Sequence, residues 1–249
     1  MNRIIFALDT TNLDKAVDIA QRIKNKIFTI KLGLEFFNAH GKEGVKKFNE
    51  IGITNLMLDL KLKDIPETVY KAIKALGNVQ FGFLTIHGQG GKSMIDKAKK
   101  AADEIKSQPK IMMVTILTAL NDEDLKATGS NSTVNEQVEK LAKVAKEMEV
   151  GIVCSGHEAK LVRKIIGPDL LISTSLTSNS LYRSTASLTI SNLCTVDDIS
   201  LSAFIHGSPA GTNTTRSSPN WLIAPLAIAT CPICIGSNVP PSIPILLPE

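Results

Sequence analysis

Seven short β-rich runs, separated by stretches with helical spacing, recur through the first 172 residues and restrict the fold more than any other feature. They occupy residues 4–8, 27–32, 55–60, 81–86, 111–117, 151–154 and 170–173, with starts spaced as strand–helix units are. Each run is apolar throughout rather than alternating, as strands of a parallel sheet buried on both faces are. Between them, Leu13, Ala16, Val17, Ala20 and Ile23 follow helical spacing, as do Val138, Leu141, Val144 and Met148. Asp14 and Asp64 stand where first-turn acids favour the helix dipole, and Pro66 suits a first turn. Seven strands and six helical segments predict a (β/α)8 barrel of the TIM type, incomplete by its last strand. An open doubly wound sheet is the alternative, but no glycine-rich dinucleotide or phosphate loop follows any of the runs.

After Ser173 the rhythm stops. Residues 173–249 contain no lysine and only two arginines, Arg183 and Arg216, although the chain holds 28 basic side chains. Eight of its 11 prolines also fall there, and their density over residues 217–249 excludes a continuous helix or a central strand in that stretch. The chain therefore divides into residues 1–172, a β/α barrel, and residues 173–249, an aberrant Ser/Thr/Pro-rich tail. A coding disruption near residue 173 is the simplest account of so sharp a change.

A total of 249 residues fits one such barrel, and the mild net charge of +4 argues against nucleic acid or an anionic membrane as partner. The first apolar run ends at Asp9, so no signal peptide is expected, and the apolar run 222–229 is broken by Pro225. That run is also far short of the roughly 20 residues a bilayer requires. A cytoplasmic protein is expected. Cysteines at 154, 194, 231 and 234 give no disulfide framework. Cys231-x-x-Cys234 is half a zinc motif with only Cys194 and His206 as loose complements, so no metal site is expected.

Polar residues gather where the runs end, the face that carries the active site in β/α barrels. Asp9 ends the first run and Lys31 lies within the second. Asp59, Lys61 and Asp64 follow on the third, His87 on the fourth and Thr118 on the fifth. Each alone reads equally well as a helix cap or a hydrogen-bonded structural residue. Five consecutive strands presenting a polar group at one rim point to a shared pocket. Asp59 and Lys61 are two apart, which on an extended strand places both on one side. Two charges facing a barrel interior need partners, and an ammonium set between carboxylates meets that need. Such a lysine can deliver a proton, while a carboxylate beside it repels a substrate anion.

The stretch Asp59-x-Lys61-x-x-Asp64-Ile65-Pro66, followed by Thr68, resembles the signature of the orotidine 5′-phosphate decarboxylase family. So do Phe6-Ala7-Leu8-Asp9, Lys31-Leu32-Gly33, Thr85-Ile86-His87, Val114-Thr115-Ile116-Leu117-Thr118 and Val153-Cys154-Ser155-Gly156-His157-Glu158-Ala159. The resemblance runs over residues 1–172. It implies decarboxylation of orotidine 5′-monophosphate to uridine 5′-monophosphate, in pyrimidine synthesis, with no cofactor. It further implies that Lys61 protonates C6 of the pyrimidine and that Asp59 sits against the departing carboxylate. Asp9 and Lys31 would bind ribose hydroxyls and complete the charged network, with Lys31 and Asp64 counted among the catalytic residues beside Lys61 and Asp59. Thr118 would contact the base, and His87 would support the pocket. Asp64, Ile65 and Thr68 would reach the neighbouring subunit's site, making the unit a homodimer with shared active sites. Alternatives are a 3-keto-L-gulonate 6-phosphate decarboxylase, which needs magnesium, and a non-catalytic nucleotide-binding or interaction protein.

The family pattern after the seventh strand is Thr-Pro-Gly-Ile-Arg, where this chain reads Thr174-Ser175-Leu176-Thr177-Ser178. The family's later Val-Gly-Arg-Pro is imitated only by Ile235-Gly236-Ser237-Asn238, too far along and with serine for arginine. The residues that bind phosphate here are therefore unknown. Arginine forks match phosphate in charge and geometry, and binding energy from a remote dianion raises the rate at the reacting centre. A chain repaired with both family segments should turn over orotidine 5′-monophosphate on the order of a hundredfold or more faster than this one. Each charged hydrogen bond it regains is worth about 1.5–3 kcal/mol. Equal rates in a steady-state assay would show that the tail supplies a phosphate site of its own.

Overall fold

The computed structural model describes residues 4–176 and 199–205. Its framework is seven parallel strands lying side by side in chain order. They are β1 (Ile4–Leu8), β2 (Thr29–Leu32), β3 (Leu56–Leu62), β4 (Phe83–His87), β5 (Lys110–Val114), β6 (Gly151–Cys154) and β7 (Ile172–Leu176). The expected strands are all present, most with ends displaced by a few residues. Helices α1 (Leu13–Ile23), α2 (Leu34–Glu50), α3 (Pro66–Ala75) and α4 (Lys92–Asp103) fill the first four connections. The β5–β6 connection holds two helices where one was expected, α5 (Asp122–Ala127) and α6 (Val134–Met148); α7 (Ala159–Ile166) precedes β7. Both α5 and α6 start with reciprocal capping boxes, Asn121 with Asp124 and Thr133 with Glu136, which satisfy amides that a helix start leaves unpaired. Pro66 opens α3 as expected, whereas Asp64 lies before the cap and accepts from the Ile65 amide at 2.7 Å.

The edges left by the missing eighth unit are not open. A segment from beyond residue 172, β8 (Ile199–Ile205), pairs antiparallel with both β7 and β1, matching Ile172 with Ile205 and Ile4 with Ala203. The pairing closes the ring of strands. Unpaired strand edges carry rows of unmet N–H and C=O groups, which explains why any extended segment within reach is drawn in. An antiparallel strand is not the last unit of a parallel barrel, so the parallel set stays at seven.

Alternation along each strand sorts the side chains into two layers. Phe6, Leu8, Ile30, Leu32, Leu56, Leu58, Leu84, Ile86, Ile111, Met113 and Ile152 face outward and join the helices in the main core. Ile5, Met57, Phe83 and Met112, with Phe28, Val153 and Leu171 packed against them, form a separate apolar plug inside the ring. Two residues further along β3 and β4, the inward positions become Asp59 and Thr85, and two further still Lys61 and His87. The plug forms the floor beneath that polar layer, and it keeps water from reaching the layer from below.

Candidate active site

The charged groups at the strand ends form a series of alternating sign. Lys31 Nζ lies 3.8 Å from Asp9 Oδ1 and 3.2 Å from Asp59 Oδ2, and Lys61 Nζ donates to the same Asp59 oxygen at 2.8 Å. Three adjacent strand ends, β1, β2 and β3, thus hold four charges in the order minus, plus, minus, plus. Side-chain exposure rises from 11% at Asp59 through 15% at Lys31 to 31% at Lys61 and 38% at Asp9, so the series opens from a buried carboxylate toward the rim. The other Asp59 oxygen, Oδ1, accepts from the Thr85 hydroxyl at 2.9 Å.

Sequence spacing located the Asp59–Lys61 pair, but for a reason the structure corrects. β3 is not evenly extended there: its register against β4 shifts between Leu58 and Leu62, and Lys61 has a φ of 47°. A non-glycine residue in that region carries strain of about 1–3 kcal/mol and is held there by its surroundings. The lysine reaches back to Asp59 from a bulge, with its amide donating to Thr85 Oγ1 at 2.9 Å.

Burial alone would push the Asp59 carboxyl upward. The Lys31 and Lys61 ammoniums, with hydrogen bonds from Lys61 and Thr85, outweigh it and hold the group below the usual carboxylate range. His87 is half-buried at the end of β4, and burial together with the charges of Lys63 and Lys61 lowers its pKa. It is therefore a neutral imidazole at pH 7, and its buried Nδ1 has no hydrogen-bond partner among the described residues.

Other expected residues stand on the same rim but outside the charged series. Asp64 and Ile65 on the β3–α3 connection and Thr68 in the first turn of α3 are exposed, Ile65 by 67%, and no ion pair joins Asp64 to the series among the described residues. Thr118 is exposed in the turn after β5, between the half-exposed Leu117 and Leu120. Cys154, the last residue of β6, is buried, and burial pushes its thiol up to about 12, so it is not a nucleophile. No group of three or more His, Cys, Asp and Glu suited to a metal occurs among the described residues. Cys194, Cys231, Cys234 and His206 lie outside them, as do Arg183 and Arg216.

Sequence reasoning passed over two residues of the site. Thr85 shares the inward period of Phe83 and His87, and a hydroxyl on that face of a buried strand was the available signal. Gly33 follows β2, and a Cβ there would lie 3.2 Å from Asp9 Oδ1 and 3.7 Å from Lys31 Nζ. Its lack of a side chain leaves room for the Asp9–Lys31 contact.

A parallel β/α barrel with a carboxylate–ammonium series at the carboxyl ends of its strands defines a class of enzyme site that presents fixed charge where a substrate enters. Comparison with known proteins gives the family. Residues 2–181 match the family described as Orotidine 5'-phosphate decarboxylase / HUMPS, and the chain belongs to it. It is 43% identical over 162 residues to orotidine 5'-phosphate decarboxylase of Sphingopyxis alaskensis, covering 65% of this chain and 70% of that one. Against the Wolbachia enzyme of the same name from Brugia malayi, identity is 42% over 176 residues, covering 70% and 77% of the two chains. The crystal structure of orotidine 5'-phosphate decarboxylase from Lactobacillus acidophilus superimposes with a TM-score of 0.63 at 34% identity, over 69% of this chain and 80% of that one.

The depressed Asp59 carboxyl makes stability depend on pH. Its folded pKa lies below the unfolded value, so the stabilisation is fully present above the ordinary carboxylate range, near 4. It is lost as pH falls through that range toward the folded value. Replacing Asp59 by Asn leaves Lys61 without its carboxylate and Lys31 with Asp9 alone, a loss on the order of 3 kcal/mol at pH 7 for a broken buried pair. Urea unfolding at a series of pH values should show the gap between Asp59→Asn and the parent narrowing below about pH 4. A gap that stays constant to pH 2 would contradict the charge assignment.

Proposed function

We propose that this site decarboxylates orotidine 5′-monophosphate to uridine 5′-monophosphate and carbon dioxide, the step that ends in a pyrimidine nucleotide. The observation that carries the reading is the fixed Asp59–Lys61 pair, a carboxylate held at 2.8 Å from an ammonium that is the more exposed of the two. In this chemistry the C6–carboxylate bond breaks and carbon dioxide departs. The electron pair left on C6 takes a proton from the Lys61 ammonium, and solvent returns that proton to the amine. Asp59 faces the substrate carboxylate, so the repulsion between the two anions disappears once carbon dioxide, a neutral molecule, has formed. Lys31 and Asp9 hold ribose hydroxyls, Thr118 contacts the base, and the neutral His87 lines the pocket. No cofactor enters the scheme. The relatives' names favour this substrate over a metal-dependent sugar-phosphate decarboxylation or a binding-only role.

The exposed trio Asp64, Ile65 and Thr68 belongs, in this reading, to the active site of a second subunit in a homodimer. That assignment gives the exposed Ile65 side chain an apolar partner. The partner molecule is a small nucleotide, and the working compartment is the cytoplasm; no helix among the described residues is long and apolar enough to cross a membrane. The two described arginines are engaged elsewhere, Arg22 with Asp18 on α1 and Arg163 with the carbonyls of Gly167 and Leu170.

Subunit mixing tests the shared site. In the repaired chain, Lys61→Ala and Asp64→Ala should each abolish turnover without unfolding the protein. A mixture of the two should regain about a quarter of the parental rate per dimer site if subunits exchange freely, because one site of each mixed dimer keeps both residues. No recovery, with mixed dimers shown by native mass spectrometry, would contradict a site built from two chains.

A further inference from the structure

We infer that Thr85 is a positioning residue for the reacting pair, its hydroxyl tying the Asp59 carboxylate to the backbone of Lys61. The inference adds a residue to the proposed decarboxylation site and rests on that reading for its catalytic consequence, though not for its structural one.

The hydrogen bonds have only one possible polarity. The Lys61 N–H can only donate, so Thr85 Oγ1 accepts from it at 2.9 Å, and the hydroxyl proton goes to Asp59 Oδ1, also at 2.9 Å. Thr85 is fully buried and has no water to exchange for either partner. On the carboxylate, Oδ2 takes both lysines, Lys31 at 3.2 Å and Lys61 at 2.8 Å, and Oδ1 is left to Thr85. Without the hydroxyl, Oδ1 is buried and unmet, and the rotamer of Asp59 is fixed from one side only.

On the Lys61 side the hydroxyl substitutes for a lost backbone partner. β3 pairs with β4 as Leu58 with Leu84 and then as Leu62 with Ile86, so three residues of β3 bulge opposite Thr85 alone. The Lys61 amide thereby leaves the backbone ladder, and the side chain opposite it accepts in place of a carbonyl. This bond holds the residue at φ 47°, the conformation from which its ammonium turns back onto Asp59. A threonine is the β-branched residue that fills a buried strand position and still offers this hydroxyl. Valine would fill the same space without it.

The test compares the full chain with Thr85→Val and Thr85→Ser. The groups facing Asp59 are Lys31 from β2, Lys61 from its own strand, His87 from β4 and, through Lys31, Asp9 from β1; neither variant replaces any of them. Titration of the Asp59 carboxyl by carbon NMR, assigned with Asp59→Asn, should show the midpoint rising by about one pH unit in Thr85→Val, the equivalent of one lost hydrogen bond. Thr85→Ser should return it to the parental position. With orotidine 5′-monophosphate, kcat should fall on the order of tenfold to a hundredfold in Thr85→Val with KM little changed, the acid limb of the pH profile should move upward in parallel, and Thr85→Ser should recover both. In the parent, hydrogen exchange at the Lys61 amide should be slow, a result that stands even if the valine variant fails to fold. An unmoved Asp59 midpoint, a folded serine variant that behaves like valine, or fast exchange at the parental Lys61 amide overturns the assignment. A midpoint shift and its reversal in a chain that never turns over the nucleotide upholds the role of Thr85 and overturns the functional reading instead.

Discussion

A carboxylate buried inside a ring of strands must be compensated, and much of this molecule serves the compensation of Asp59. Taking an ionised group out of water without partners is prohibitive, and a single partner removed from such a pair exposes the full penalty. Here the compensation comes from three strands at once: Lys31 from β2, Lys61 from β3 and the Thr85 hydroxyl from β4. Parallel strands in register bring their ends to one rim, and period-two alternation places these side chains above the apolar plug of Ile5, Met57, Phe83 and Met112. The dry floor lowers the local dielectric, which strengthens the lysine–carboxylate attraction and any repulsion toward an incoming anion alike.

That balance favours function over rigidity. Lys61 occupies a backbone conformation that lysine ordinarily avoids, and Asp59 remains anionic in a place where burial opposes it. Strain and buried charge of this kind are typically found where a site is held ready for a reaction. The outward half of β1 to β6 shows none of this: it is apolar and packed against helices, and it supplies stability that offsets the inner face.

How legible the molecule was depended on whether a feature lived in periodicity or in backbone geometry. The seven strands could be read because runs such as residues 4–8 and 151–154 are apolar on both faces, a signal independent of exact ends. Asp9, Lys31, Asp59 and His87 could be read because a polar residue closing such a run has few places to go. The Lys61 bulge could not, since a spacing of two is also what an even strand gives, and a positive φ leaves no mark when the residue is lysine. Thr85 was hidden by being an ordinary strand former. The extra helix α5 begins in a polar stretch whose capping box, Asn121 to Asp124, was the overlooked cue. β8 was hidden by its place beyond the change in composition and by an antiparallel direction that no repeat of β/α units suggests.

The claim at the centre is that a charged protein cluster, with no metal, removes carbon dioxide from orotidine 5′-monophosphate. The direct measurement is carbon dioxide release from carboxyl-labelled substrate by chelator-treated protein at high enzyme concentration, with the magnesium-dependent gulonate phosphate assayed alongside. The account predicts slow release from orotidine 5′-monophosphate, accompanied by uridine 5′-monophosphate in equal amount and unchanged by added magnesium. Release from the gulonate alone and only with magnesium, or tight binding of uridine 5′-monophosphate with no release at all, would contradict it.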